Sequence, residues 1–204
     1  MVVSLGTGTS FMYVNKDRRE HAGGSGMGGA LLHSLAQYGL GMDDVFEFMN
    51  LAKKGDINRA DLLIKDISKV DIGSLNGEVT AANMAKIDRN SRPEDYAYGV
   101  CNLVFQNVGV MAVMADRPYG TGKVVVMGSV GESDFAKSCF DAVGQLFGYE
   151  FIIPKAAVYG VAVGAILYGD DAYVNRFEEK RNKKSEQKKK RKEQAIRKQN
   201  SDED

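Results

Sequence analysis

The sequence predicts an α/β fold in which three short strands come first and helices then alternate with single strands. Short apolar runs separated by polar or glycine-rich turns occupy residues 2–25. Farther along, the β-branched run "KVVVMGS" lies between two long helix-like segments, near residues 94–116 and 132–148. Short apolar runs bounded by turn residues indicate strands, whereas longer segments with an apolar period near 3.6 indicate helices.

The N-terminal region contains the three predicted strands. The runs "VVSL" and "SFMYV" predict two of them, and "RREHA" predicts a third that follows the polar turn "VNKDRR". The glycine-rich run "GGSGMGG" then precedes "ALLHSLAQYGL". This order predicts a loop that leads into a helix, whose first unpaired backbone N–H groups attract anions.

The middle of the chain predicts several shorter helices. In "GMDDVFEFMNLAKKG", Asp43 or Asp44 is the expected N-cap and Gly55 the expected stop. The segment "INRADLLIKDIS" predicts another short amphipathic helix, and "TAANMAKIDR" predicts a short helix or a loop.

The second half predicts the main core elements. Pro93 precedes a segment that is apolar nearly all round to Asp116, which predicts a long central helix buried on most sides. "KVVVMGS" predicts a buried parallel strand, "YEFIIP" another strand, and "AVYGVAVGAILYG" a small-residue helix that can pack closely. The resulting order, βββ, helices, then βαβα, is that of one half of an actin-like, sugar-kinase-like nucleotide-binding fold.

Composition and charge limit the class of protein. The chain has 204 residues, 44% of them hydrophobic and 26% charged, as expected for a soluble globular protein with one good-sized core. Residues 175–204 hold 12 of the 27 Lys and Arg residues and 7 of the 27 Asp and Glu residues, so the remainder is mildly acidic. We therefore expect a domain over residues 1–170 and a Lys-rich helical or disordered tail over 171–204.

The tail and the cysteines suggest no further site. The tail is expected to be a solvated segment. The alternative is weak, salt-sensitive contact with nucleic acid or acidic surfaces, but the tail lacks the interleaved aromatic residues of a defined nucleic-acid site. Cys101 and Cys139 have no metal or disulfide spacing and are expected to be buried fillers in a reducing cytoplasm. No signal peptide is expected, the longest apolar stretch is too short for a bilayer helix, and no metal site is predicted.

Glycine-rich turns carry the main functional signal. "LGTGTS" at residues 5–10 combines glycines, which let backbone approach an anion, with hydroxyl donors. Taken singly, it is also compatible with an ordinary hairpin turn, and "GGSGMGG" is also compatible with close helix packing. Two such loops within 25 residues, together with the strand end "VVVMGS", favour a site for a phosphate-bearing ligand.

Several motifs, in order and near the same spacing, resemble the C-terminal portion of type II pantothenate kinases, bacterial and eukaryotic. The resemblance covers residues 2–169, and its most specific parts are "KGDINRADLLIKDI" and "TAAN". It implies a cytoplasmic, dimeric kinase that uses ATP with Mg²⁺ to phosphorylate the 4′-hydroxyl of pantothenate in coenzyme A biosynthesis. It further implies inhibition by CoA or acyl-CoA.

The resemblance also implies site residues. The phosphate loops correspond to Gly6, Thr7, Gly8, Thr9 and Ser10, and to Gly23, Gly24, Ser25, Gly26, Gly28 and Gly29, with Gly128 and Ser129 near the adenosine. Thr7 and Thr9 match positions that also touch pantothenate. His21 stands where the family has a pantothenate-contacting arginine; a lone histidine on an edge strand is more often structural or solvent-facing. The glycine pattern near Gly160 is also shifted.

The resemblance assigns the first phosphate loop and the catalytic glutamate to a part of the family that precedes these motifs. Asp56, Asp61 and Glu78 match other positions, and no catalytic base is identified, so we expect the chain to be inactive alone. One hypothesis is a truncated or split kinase that needs a separate N-terminal half; whether Met1 is the true start stays open. Another is a non-catalytic nucleotide- or CoA-binding half-domain or regulatory partner. A third, another actin-like kinase, is disfavoured by the "KGD" and "TAAN" motifs.

Overall fold

The computed structural model describes residues 1–71, 73, 75–168 and 179. The chain divides into two units, Met1–Tyr159 and Gly160–Asp204. The strands are β1 (Val2–Leu5), β2 (Thr9–Val14), β3 (Arg19–Ser25), β4 (Leu62–Leu63), β5 (Thr80–Ala82), β6 (Lys123–Met127) and β7 (Glu150–Ile152). The helices are α1 (Gly29–Leu40), α2 (Val45–Ala52), α3 (Ile57–Ala60), α4 (Ile64–Ile67), α5 (Pro93–Asp116), α6 (Asp134–Phe147) and α7 (Gly160–Tyr168). Two short 3-10 helices span Ser129–Glu132 and Ala157–Tyr159.

The first unit is built on a five-stranded mixed sheet with the order β3-β2-β1-β6-β7. Strands β1, β2 and β3, which the sequence predicts as strands, pair antiparallel. Strand β6 is parallel to both β1 and β7, which confirms the parallel prediction for "KVVVMGS". The carboxyl ends of β1, β6 and β7 therefore meet at one edge of the sheet.

Helix α5 is the central core helix, and its 24 residues confirm the predicted segment 94–116. Proline at its first position suits a helix start because the missing N–H has no intrahelical partner there. Val100, Val104 and Val108 are fully buried within the core. By length and hydropathy alone α5 could cross a bilayer, but more than half of its most apolar stretch is buried inside the protein, and burial in the core accounts for that composition.

Hydrogen bonds to buried carboxylates stabilise both ends of α5. Arg92 donates two hydrogen bonds of 2.7 Å to the Asp95 carboxylate, which also accepts 2.9 Å from the backbone N–H of Asp56. The Arg92 guanidinium is the main reason why the pKa of Asp95 lies below its usual value. At the other end, the buried Asp116 accepts from the backbone N–H and hydroxyl of Thr121, at 2.9 and 2.7 Å.

The prediction of one helix over residues 57–68 is wrong. The segment forms α3, β4 and α4 because the fully buried Asp61 carboxylate interrupts it. Asp61 accepts hydrogen bonds from the backbone N–H of Met84 at 2.7 Å and from the Asn102 amide at 2.6 Å. These long-range bonds hold the chain extended, so β4 pairs with β5, which is a strand where a helix or loop is predicted.

The ends of α2 were partly predicted. Asp44 is its N-cap, with its carboxylate accepting from Phe46 N at 2.7 Å. The helix ends at Ala52, before Gly55. A Cβ on Gly55 would overlap the carbonyl oxygen of Glu94, so the glycine serves the close approach of this loop to α5.

The second unit begins with α7, which confirms a helix in the small-residue segment "AVYGVAVGAILYG". The predicted tail over 171–204 lies outside the described residues, apart from residue 179. The boundary near residue 170 stays a prediction.

Candidate functional site

The sheet edge where parallel strands end forms the candidate site. The turn at residues 6–8 follows β1, the first 3-10 helix follows β6, and a turn at residues 154–158 follows β7. The loop at residues 26–28 joins β3 to α1 beside them. Ligands of open α/β sheets commonly bind in the crevice outside the carboxyl ends of the strands. We call these four segments the strand-end crevice.

The two predicted phosphate loops interlock. The backbone N–H of Gly29 donates to the carbonyl oxygen of Gly6 at 2.8 Å, and that of Ala30 donates to Thr7 at 3.1 Å. A Cβ on Gly28 would lie 2.7 Å from the Thr7 carbonyl oxygen and 2.8 Å from the Gly8 Cα. Only glycine fits between the two turns, so this residue is required for the loops to meet.

Backbone donors in the loops fall into two groups. The first N–H groups of α1, those of Gly29 and Ala30, are predicted anion donors, but both donate to carbonyl oxygens of the turn between β1 and β2. Among the described residues, the N–H groups of Thr7, Gly8, Gly26 and Gly28 make no such bond between the two loops. Such neighbouring backbone donors are the groups with which glycine-rich turns bind anions.

The predicted hydroxyl ligands are also divided. The buried Thr9 donates its hydroxyl to the Met27 carbonyl oxygen at 2.6 Å, and the Ser25 hydroxyl accepts from Met27 N at 3.1 Å. The Thr9 hydroxyl therefore ties the two loops together, whereas the Ser25 bond is local to the loop before α1. The Thr7 side chain is exposed at the turn.

The end of β6 forms the third wall of the crevice. Gly128 has φ +116°, and a Cβ there would overlap the carbonyl oxygen of Leu5, so the β6 exit lies directly against the end of β1. A Cβ on Gly29 would lie 3.7 Å from Val130 Cγ1. The first 3-10 helix is therefore next to both phosphate loops, and Ser129 is exposed on it.

His21 lies on β3 close to these loops because of a β-bulge. Met12 pairs with His21 and Phe11 pairs with Gly23, which leaves Ala22 as the extra residue. A Cβ on Gly24 would be 3.8 Å from His21 Nε2, so the imidazole lies beside a residue of the predicted phosphate loop. The side chain is exposed, and the bulge that orients it is not apparent from the sequence.

Acidic residues elsewhere have structural partners. The Asp56 carboxylate caps α3 by accepting from Asn58 N at 2.9 Å, Asp61 is buried, and Glu78 pairs with Lys65 at 2.8 Å. Among the residues that the structure describes, no group of three or more His, Cys, Asp and Glu side chains is arranged to hold a metal ion. Sequence reasoning missed one acidic residue of the strand-end crevice, Glu132, whose carboxylate accepts from Val158 N at 3.0 Å.

A cavity of about 910 Å³ lies apart from these loops, between α5, α6 and residues 76–80. Its lining includes Tyr98, Asn102, Gln106, Val110 and Cys139, and none of the sequence-predicted ligand residues. Burial raises the pKa of the Cys139 thiol to about 12 and also raises that of Cys101, so both stay protonated and poorly reactive.

Comparison with known proteins assigns the family. A sequence model of the family described as Fumble matches residues 1–136. The chain belongs to the Fumble family. The match includes both glycine-rich loops, the strand-end turn at Gly128 and all of α5.

Curated relatives of this Fumble-family chain are type II pantothenate kinases. The chain is 32% identical over 168 residues to that of Staphylococcus epidermidis (strain ATCC 12228), with 80% of this chain and 63% of the relative covered. It is 29% identical over 130 residues to the type II pantothenate kinase of Oceanobacillus iheyensis, and this match covers 63% of this chain and 48% of the relative. These matches confirm the resemblance. The chain thus spans about half to just under two thirds of the relatives' length.

A solved structure confirms the fold class. The activator of the 2-hydroxyisocaproyl-CoA dehydratase from Clostridium difficile, determined with bound ADPNP, superposes with a TM-score of 0.51. The likeness covers 87% of this chain and 62% of that chain at 16% sequence identity. At this identity the comparison concerns the fold alone, and it supports the predicted actin-like α/β architecture.

Proposed function

We propose that this chain forms the nucleotide- and pantothenate-binding part of a type II pantothenate kinase, which uses ATP to phosphorylate pantothenate in coenzyme A biosynthesis. The observation that carries the proposal is the interlocking of two glycine-rich turns at the carboxyl ends of parallel strands. The names of the curated relatives supply the reaction.

In this proposal the phosphates of ATP contact the backbone N–H groups of Thr7, Gly8, Gly26 and Gly28. Thr9 holds the two loops together through the Met27 carbonyl oxygen, and the Ser25 hydroxyl accepts from Met27 N within the second loop. The remaining residues proposed for phosphate or adenosine contact are Gly6, Ser10, Gly24, Gly29, Gly128 and Ser129. Because glycine leaves the backbone uncovered, phosphate oxygens reach the N–H groups of Gly8, Gly26 and Gly28 without a side chain in the way.

Pantothenate occupies the neighbouring end of the site, against Thr7, Thr9 and His21. The Thr9 hydroxyl proton is used by Met27, so Thr9 offers lone pairs to the ligand, whereas the exposed Thr7 hydroxyl can donate. The His21 imidazole beside Gly24 is placed to meet a carboxylate at the rim.

Phosphoryl transfer also needs a proton acceptor and neutralisation of phosphate charge. Among the described residues, no group of three or more His, Cys, Asp and Glu side chains is arranged to hold a metal ion, and Mg²⁺ would enter this site bound to the phosphates of ATP. We propose that the base and the metal-binding acid belong to a complementary N-terminal half, and that residues 1–204 alone bind ligands without turnover.

We further propose a homodimer formed through α5 and the cavity beside it. Met114 on α5 is 55% exposed, and Gln106 and Val110 line the cavity on the same helix. A second copy that covers this face would bury the apolar side chains. Light scattering should give a mass near twice the 22.3 kDa of the chain; a monomer at micromolar concentration contradicts this part of the proposal.

The alternative is a non-catalytic nucleotide- or CoA-binding half-domain or regulatory partner. Formation of phosphopantothenate from ATP decides between them. The kinase proposal predicts negligible turnover by the chain alone and restored turnover when the remaining N-terminal part of a type II pantothenate kinase is added. Binding of ATP or CoA without restoration supports the alternative. The proposed location is the cytoplasm, and CoA or acyl-CoA is the proposed inhibitor.

A further inference from the structure

The far end of the strand-end crevice contains a carboxylate with a specific backbone partner. Glu132 ends the first 3-10 helix, and its Oε1 accepts a hydrogen bond of 3.0 Å from the backbone N–H of Val158. We propose that Glu132 is a positioning residue, which holds the turn at residues 154–158 in place as the wall against which the base of a bound nucleoside triphosphate packs. This inference rests on the nucleotide-binding function proposed above.

Two hydrogen bonds join this turn to the segment that follows β6, one at Gly128 and one at Glu132. Besides the Glu132 bond, the backbone N–H of Gly128 donates to the carbonyl oxygen of Ala157 at 3.1 Å. The Gly128 bond fixes one point of the turn, and the Glu132 bond fixes the next residue. Together they define both the distance and the orientation of the turn relative to the β6 exit.

The turn needs such support because its backbone is unfavourable. Ala156 has φ +63°, a conformation that residues with a Cβ rarely adopt. Residues held in sparsely populated conformations persist when surrounding contacts determine them, and they cluster at binding sites. The backbone bond from Tyr159 N to the Ala156 carbonyl oxygen, at 2.9 Å, is local and does not attach the turn to the rest of the crevice.

The position of Glu132 along the crevice indicates which part of the ligand it affects. Val130, in the same 3-10 helix, lies against Gly29 at the phosphate loops. The turn at 154–158 is bonded to Gly128, which precedes this 3-10 helix, and to Glu132, which is its last residue. A nucleoside triphosphate whose phosphates contact residues 6–8 and 26–28 therefore extends its nucleoside past the 3-10 helix towards the turn.

The chemistry of the turn suits a flat base. Val158 and Tyr159, in or next to the turn, are 42% and 62% exposed, so both have apolar surface that is open to a ligand. Aromatic and apolar side chains pack favourably on heteroaromatic rings. The Glu132 carboxylate itself is occupied by a backbone N–H, which reduces its repulsion of a phosphate-bearing ligand.

Affinities for two probes separate positioning from a general structural role. The full 204-residue chain is titrated calorimetrically with ATP and, separately, with inorganic tripolyphosphate, which lacks a nucleoside. We expect Glu132→Ala to weaken ATP binding about tenfold, the scale for loss of one charged hydrogen bond, and to leave tripolyphosphate affinity within about twofold. Glu132→Gln keeps a carbonyl acceptor and should bind ATP nearly as the wild type does.

The remaining outcomes overturn the inference. If Glu132→Ala weakens the binding of ATP and of tripolyphosphate equally, Glu132 has only a structural role. If the affinity for ATP is unchanged, Glu132 has no role in positioning the base. If wild-type chain binds neither probe, the proposed nucleotide function fails as well, and this inference fails with it. Should Glu132→Ala not fold, Glu132→Asp, which is one methylene shorter, provides the same comparison.

Discussion

The hydroxyl of Thr9 donates a 2.6 Å hydrogen bond to the carbonyl oxygen of Met27, across 18 residues of sequence. This bond links the start of β2 to the loop before α1, and it is made by a residue that the sequence predicts to contact ligand. The geometry of the candidate site therefore depends on loop-to-loop bonds as well as on the free donors of the loops.

Replacing Thr9 with valine removes this bond and keeps the shape of the side chain. Since Thr9 is buried, we expect a loss of about 1 kcal/mol in the free energy of unfolding and weaker binding of inorganic tripolyphosphate. Urea unfolding and calorimetry measure the two effects. Thr9→Ser keeps the hydroxyl and is the control; equal stability of the valine and serine variants contradicts the assignment.

Replacing Gly28 with alanine should separate the two loops. The new Cβ would lie within 3 Å of backbone atoms of Thr7, Gly8 and Gly6, none of which can move aside like a flexible side chain. We expect loss of tripolyphosphate binding and a lower melting temperature.

A matched control for this variant is Gly148→Ala. Gly148 follows α6 with φ +71° and open space around it, so alanine there costs about 1 kcal/mol through backbone strain alone. It should lower stability and leave ligand affinity unchanged. Retention of tripolyphosphate binding by Gly28→Ala contradicts the interlocked-loop account.

Asp61 organises the segment that the sequence does not predict correctly. Its buried carboxylate accepts from the backbone N–H of Met84 and from the Thr80, Asn83 and Asn102 side chains. In Asp61→Asn, one acceptor oxygen is replaced by an NH₂ group, which cannot accept hydrogen bonds from these donors. We expect the free energy of unfolding, measured with urea, to fall by about 3 kcal/mol. Glu78→Gln, at an exposed ion pair, should change stability by less than about 0.5 kcal/mol. Similar effects of the two substitutions would show that Asp61 has no special structural role.

Asp95 should make stability depend on pH in acid. Its hydrogen bonds from Arg92 lower the pKa of the carboxyl in the folded state. The unfolded chain therefore binds a proton first as pH falls, and the stabilisation, fully present above the ordinary carboxyl pKa of about 3.9, is lost progressively below it. Asp95→Asn should lower stability at pH 7 and show a smaller further loss between pH 5 and pH 3. Parallel stability curves for the two proteins would contradict this assignment.

Local sequence signals account for much of the fold. The apolar residues on nearly every face of segment 94–116 and the proline before it predict α5, and the β-branched run predicts β6. Asp44 is predictable as a cap because its carboxylate serves N–H groups two and three residues away. In each case the groups that determine the structure are close in sequence.

Long-range contacts account for what the sequence did not predict. The break at Asp61 depends on partners at Met84 and Asn102, and the orientation of His21 depends on a bulge opposite Phe11 and Met12. The bond from Val158 to Glu132 joins residues 26 apart. Glycine spacing predicted the candidate loops, but the division between occupied and available N–H groups required the structure.

Calorimetric titration of the 204-residue chain with inorganic tripolyphosphate and with ADPNP tests the central claim most directly. We predict saturable binding of both by wild type and by Gly148→Ala, and loss of both in Gly28→Ala. Absence of saturable binding of either probe by the folded wild-type chain at millimolar concentration would contradict the claim that the interlocked loops form a phosphate site.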